Sequence, residues 1–180
     1  MTNNARDIFH GEKGIFAGMV LCLERQCVLS TLVLAYSAID NLSWLSLPTG
    51  KAEITRQHFM SWTDRYVLPN TSLECSSADL YGARCGLIHT LTPDSRMAEQ
   101  GNAVKINYSW GNQPAYPRKK LEELGMSAIK IHVDTLCRAI EQGAQRFWED
   151  VEKDKDRLSL LNQRAQKFLG PDPNLPPTLP

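Results

Sequence analysis

The stretch Ser76-Ser77-Ala78-Asp79-Leu80-Tyr81-Gly82-Ala83-Arg84-Cys85-Gly86-Leu87-Ile88-His89-Thr90 carries both a fold signal and a chemical one. Ser76 or Ser77 supplies a capping oxygen, and Asp79 falls in the first turn, where a carboxylate suits the positive end of a helix. Pro93 stops the run, so a helix is predicted over 77–90. On a wheel of about 100° per residue, Leu80, Ala83, Leu87 and Ile88 share one side. Ala78, Gly82, Cys85, Gly86 and His89 share the other. Each interior glycine costs roughly 1 kcal/mol against alanine, a cost that is offset where another backbone comes very close. The Gly82–Gly86 face is therefore expected to receive a second helix, from a second subunit or from the same chain.

Upstream, residues 14–47 contain no proline, and Ile15, Met19, Leu23, Leu32, Tyr36, Ile39 and Leu42 recur at helical spacing on more than one face. That predicts a central bundle helix near 15–46, ended by Pro48-Thr49-Gly50. A second helix is predicted over 52–67, with Ile54, Phe59, Trp62 and Tyr66 inward. Downstream the period changes to two. Val104, Ile106, Tyr108 and Trp110 alternate with polar residues, which predicts one strand near 103–110 without an obvious partner. From Ser127 an amphipathic stripe, including Ile129, Val133, Leu136, Ile140, Phe147 and Val151, predicts a helix over 127–168. Its charged run Glu149–Arg157 reads as solvated. Residues 1–13 are polar and expected to carry little structure. Five of the eleven residues 170–180 are proline, so an extended tail is expected there. The expected fold class is mainly α, a helical bundle over 14–169 with a short strand or hairpin inserted after the 77–90 helix.

The chain has 180 residues, 42% hydrophobic and 22% charged, which suits one folded domain. Twenty basic and twenty acidic residues give no net charge. That argues against coating nucleic acid by bulk electrostatics and leaves room for a local RNA site. The five cysteines are odd in number and contain no CxxC pair. Cys22, Cys27 and Cys137 read as small buried apolar residues, so a reducing, cytoplasmic setting is expected. Ile15–Leu23 imitates a signal-peptide core, yet Glu24-Arg25-Gln26 interrupts it well short of the roughly 20 residues a span needs. No membrane association is expected. No metal-ligand cluster, phosphate loop or GxSxG motif occurs, so neither a metal nor a cofactor is expected.

Arg84 and His89 are the residues with chemistry to offer. Five positions put them about 140° apart on an ideal helix, and a long arginine near a helix end can still converge with a histidine. A histidine can take a proton from a ribose 2′-hydroxyl or give one to a leaving oxygen. An arginine forks onto a phosphate and stabilises developing charge. The segment Arg84-Cys85-Gly86-Leu87-Ile88-His89 resembles the R-x4-H motif of the HEPN superfamily, small helical proteins that include RNA-cleaving toxins and defence effectors. The likeness in helix plan covers about 15–165, and in specific motif only about ten residues. It implies a homodimer through the 77–90 helix, RNA as substrate, a possible cognate antitoxin, and metal-independent endoribonuclease chemistry by Arg84 and His89. Asp40 matches an acidic position on the preceding helix that would orient one of them. Active members usually carry a polar residue directly after the arginine; here it is Cys85. HEPN-like proteins also include non-catalytic dimerisation modules that bind a nucleotide or a protein, so both functions stay open. Lys105, Arg118 and Lys119, beside Lys120 and interleaved with Tyr108, Trp110 and Tyr116, are candidates for RNA binding by charge and stacking.

Overall fold

The computed structural model describes residues 5–116 and 118–167. Their order is α1 (Ala5–His10), α2 (Ile15–Glu24), α3 (Val28–Leu45), then α4 (Arg56–Trp62), which runs on through a π-helical turn at Thr63–Val67. There follow α5 (Ser77–Thr90), α6 (Arg96–Glu99), β1 (Lys105–Ser109), α7 (Arg118–Glu123), β2 (Ala128–His132), α8 (Val133–Val151) and α9 (Lys155–Ala165). The fold is mainly α, as the periodicity predicts. The sheet among the described residues has two strands, paired in parallel from Lys105 with Ala128 to Ser109 with His132. Parallel strands need a crossover, and α7 lies on it.

Helix α3 sits in the middle and touches α2, α4, α5, α8 and α9. Leu32, Ala35, Tyr36, Ile39 and Leu42 are buried along it. It is also long and apolar enough to cross a membrane by composition, and half of it is buried in the core. The carbonyls that a helix leaves unpaired at its C-terminus are met from α9. Buried Arg164 donates to the Leu45 oxygen at 3.1 Å, to that of Leu47, to Pro48 at 2.9 Å and to Lys51 at 3.2 Å. The stripe of α8 brings Phe147 edge-on to Trp62 and Tyr66, with ring centroids 5.8 and 5.4 Å away. Such pairs add about 0.5–1.5 kcal/mol beyond area burial.

Five sequence expectations are corrected. The helix expected over 15–46 is two helices. Gln26 takes a left-handed φ of 57°, Cys27 N–H bonds the Cys22 oxygen at 2.8 Å, and Gln26 N–H bonds that of Leu23 at 2.9 Å. This is a Schellman closure built without the usual glycine, so no residue type announced it. The helix expected over 127–168 begins with β2, because Ile129 and Ile131 alternate and β-branched residues favour strands. It then breaks after Val151, where Asp154 caps α9 by accepting from Asp156 N and Arg157 N, both at 3.1 Å. Within 1–13, residues 5–10 form α1, with Ala5 and Phe9 buried. The second expected helix starts at Arg56 rather than at residue 52. Cys137 is buried, Cys22 is half-buried, and Cys27 lies exposed at the new turn rather than in the core. The expected tail over 170–180 lies outside the described residues.

Two glycines in helix interiors should respond oppositely to alanine. A Cβ on Gly143 would stand 2.7 Å from the Tyr66 carbonyl oxygen, whereas one on Gly18 would meet only the Leu34 side chain at 3.6 Å. Gly143→Ala is expected to lose about 1–3 kcal/mol from overpacking against backbone. Gly18→Ala is expected to gain up to about 1 kcal/mol from helix propensity. Urea unfolding midpoints measure both.

Candidate functional site

Helix α5 is tied down at its start. Ser76 Oγ accepts from Asp79 N at 3.2 Å, and Asp79 Oδ2 accepts from Ser76 N at 2.9 Å, a reciprocal cap. Asp79 Oδ1 also accepts from Val104 N at 2.6 Å. Leu80, Ala83 and Leu87 face the core, but Ile88, placed with them on the wheel, is exposed. The glycine face is covered by the chain itself. A Cβ on Gly82 would lie 3.1 Å from Ala103 Cβ and 3.2 Å from Ser95 Oγ; one on Gly86 would lie 2.5 Å from the oxygens of both Thr92 and Asp94. The close approach expected there is real, and its occupant is the segment 92–103 of the same chain, which carries the short α6. That leaves Tyr81, Arg84, Cys85 and Ile88 as the outward strip of α5, each half-buried or exposed.

The fold brings Asp40 of α3 to Arg84 of α5. Nε and Nη2 of Arg84 each lie 2.7 Å from Asp40 Oδ2, and both side chains are 24% exposed. The two ends of this pair respond differently. Burial raises the Asp40 carboxyl above its ordinary value, more than the Arg84 hydrogen bond and charge lower it. Burial works against the charge on Arg84, but Asp40 and then Cys85 outweigh it, so Arg84 is held charged more firmly than usual. Tyr81 packs edge-on to Phe59 at 5.3 Å. Its phenol is raised by burial first and then by the neighbouring Cys85 thiol. Tyr81 and Cys85 thus belong to the group around Arg84. Sequence reasoning gave Tyr81 no role; its four-residue spacing from Cys85 on one helix is the signal that could have linked them.

His89 is not brought to this pair. It is exposed on the last turn of α5, with no hydrogen bond or ion pair among the described residues. The helix closes two residues later on Leu91, whose φ is 57°. The candidate RNA contacts are spread out. Lys105 pairs with Asp94, which raises its pKa. Arg118 pairs with Glu122 at 3.0 Å, and its backbone N–H donates to Glu74 at 3.1 Å. Lys119 is exposed on α7. Tyr116 holds Lys130 over its ring at 5.0 Å, while Tyr108 points inward and hydrogen-bonds Tyr36, so Tyr108 is not a surface stacking platform. Among the described residues, no three His, Cys, Asp or Glu side chains are grouped to hold a metal ion. The chain matches no family model, no curated protein and no solved structure.

The raised carboxyl of Asp40 has a defined consequence for stability. Folded, Asp40 keeps its proton to higher pH than it does unfolded. Its contribution is therefore fully present at low pH and is lost as pH rises through the folded pKa. Asp40→Asn cannot ionise. The stability of wild type relative to Asp40→Asn is expected to fall as pH is raised from about 3 through the carboxylate range. Urea titrations at each pH read this difference; a relative stability that grows with pH would mean that Arg84 outweighs burial.

Proposed function

We propose that the protein is a metal-independent endoribonuclease of the HEPN type, acting in the cytoplasm as a toxin or defence effector. The observation that carries this reading is the pairing of Asp40 with Arg84 across α3 and α5. It keeps an arginine charged at the protein surface while leaving His89 on the same helix unengaged. A half-site of this kind suits a homodimer in which the outward strips of two α5 helices face each other and pool two copies of Arg84 and His89.

In such a site, one histidine takes the proton of the ribose 2′-hydroxyl. The 2′-oxygen bonds to phosphorus, the bond from phosphorus to the 5′-oxygen breaks, and a second histidine returns a proton to that leaving oxygen. Arg84 places its planar fork against the phosphate oxygens as their charge grows. Lys105, Arg118 and Lys119 steer the RNA backbone.

A second reading is a non-catalytic dimerisation module that binds a nucleotide or a protein. Cys85 favours it: this thiol stands beside Tyr81 at the place where active members carry a stronger polar group, and Arg84 is already engaged by Asp40.

The deciding assay is RNA cleavage in excess EDTA. Cleavage is expected to persist, with products ending in 2′,3′-cyclic phosphate. His89→Ala should lose on the order of 10²-fold or more, the usual scale for a positioned acid–base group. Arg84→Lys should also be impaired, because a point charge does not replace a fork. Cys85→Asn should raise the rate if the missing polar group limits it. Wild type that binds RNA or a nucleotide without cutting it, matched by His89→Ala, would favour the module. Ile88→Glu places a charge in the outward strip. It should yield monomers by light scattering with unchanged helical circular dichroism.

A further inference from the structure

An apolar groove of about 320 Å³ opens between the start of α3, the C-terminal half of α5 and the end of β1. Leu29, Leu87, Leu91, Pro93, Asn107 and Trp110 line it, and no charged side chain does. Three of these are large apolar side chains left in solvent: Leu29 at 45%, Leu91 at 60% and Trp110 at 39%. Ile88, at 37%, stands beside them on α5. Clustered exposure of this kind marks a binding surface. Leu91 adds a second sign. It holds a left-handed backbone, which for an L-residue other than glycine costs about 1–2 kcal/mol. Glycine or asparagine would close the helix more cheaply. The chain keeps a strained, exposed leucine at the rim of the groove instead. The indole Nε1 of Trp110 donates to no group among the described residues.

The sequence offers one matching occupant. Residues 171–180 read Pro-Asp-Pro-Asn-Leu-Pro-Pro-Thr-Leu-Pro. They contain two P-x-x-P spacings, Pro173 to Pro176 and Pro177 to Pro180, and no charged side chain from Pro173 onward. Such segments favour the polyproline II helix and dock in aromatic-lined apolar grooves, with indole or amide donors meeting their free carbonyls. The reach also fits. Arg164 of α9 is hydrogen-bonded at the C-terminal end of α3, and the groove includes Val28, Leu29 and Leu32 at its N-terminal end. The 18 residues of α3 separate the two by roughly 27 Å. Thirteen residues follow Lys167. At about 3.1 Å per residue they span about 40 Å, and Leu175 begins about 25 Å out. The distal Leu-Pro-Pro-Thr-Leu-Pro is therefore the part whose reach matches the groove.

We propose that this proline-rich segment of the chain docks into the groove between Leu29, Leu91 and Trp110 of the same molecule. The test uses the full chain labelled with ¹⁵N. Its four tryptophans give four indole signals, and Trp110→Phe identifies one of them. In a full chain carrying Pro176→Ser, Pro177→Ser and Leu179→Ser, the Trp110 signal is expected to move and to exchange faster with solvent. The signals of Trp44, Trp62 and Trp148 should stay in place. A peptide of residues 170–180 should restore the wild-type position in that variant and leave wild type unaffected. A Trp110 signal that is the same in both chains overturns the proposal. So does a wild-type signal that changes on dilution, which would assign the groove to the segment of a second copy.

Discussion

Asp79 divides one buried carboxylate between two backbone amides, Ser76 N and Val104 N, and the placement of everything around α5 follows from that division. The first bond starts the helix. The second pins the chain just before β1, so the segment that leaves the C-terminus of α5 must return along the helix to its beginning. That return path crosses Gly82, where a Cβ would press on the Ala103 and Ser95 side chains at 3.1 and 3.2 Å, and Gly86, where the Thr92 and Asp94 carbonyls leave no room for one. Gly86, which weakens the helix by propensity, is thus required by the return path. With one face given to the core and one to the returning backbone, Arg84 has only the outward strip, and there it meets α3.

Helix α3 makes that meeting specific. Its C-terminal end is held by the Arg164 guanidinium, which donates to four carbonyls. Its N-terminal end is set by the Gln26 turn, so Asp40 is presented at a fixed height. The Asp40–Arg84 pair is partly buried, and such pairs are poor sources of stability, because the loss of hydration rivals the attraction. Removing one partner is costlier than never having had either, since the other charge is then stranded. The raised carboxyl of Asp40 reflects that loss of hydration, since burial there outweighs the attraction of Arg84.

The sequence was most legible where a local rule and a tertiary need agree. Ser76 and Asp79 announced α5, the alternation from Val104 to Trp110 announced β1, and the stripe from Val133 to Val151 announced α8. It was least legible where a turn uses an uninformative residue. Gln26 carries none of the signals of glycine, proline or asparagine, and the apolar spacing runs across it unbroken. Ile129 to Val133 is a four-residue step that fits a helix, while Ile129 and Ile131 fit a strand; the parallel pairing with β1, invisible in a single segment, selects the strand. The glycines reported a close backbone correctly, but a glycine carries no mark of whose backbone it receives. Asp40 and Arg84 were linked by resemblance, since nothing in a sequence says that residues on different helices touch. The groove was beyond reach, because its lining comes from α3, α5, the return segment and β1.

Helix α5 therefore serves two surfaces that meet at its last turn. Arg84 reaches Asp40 of α3, Leu87 and Leu91 line the groove, and His89 lies on the turn that the strained Leu91 closes. Strain at such a place persists only where surrounding contacts hold it. Few contacts hold Leu91, which is the most exposed of the groove's large apolar side chains. The arrangement of this turn is thus the part of the helix least fixed by the core. Whatever fills the groove adds contacts to Leu91 and so bears on the backbone that carries His89. It shifts that histidine only to the extent that it binds one arrangement of the turn more tightly than another.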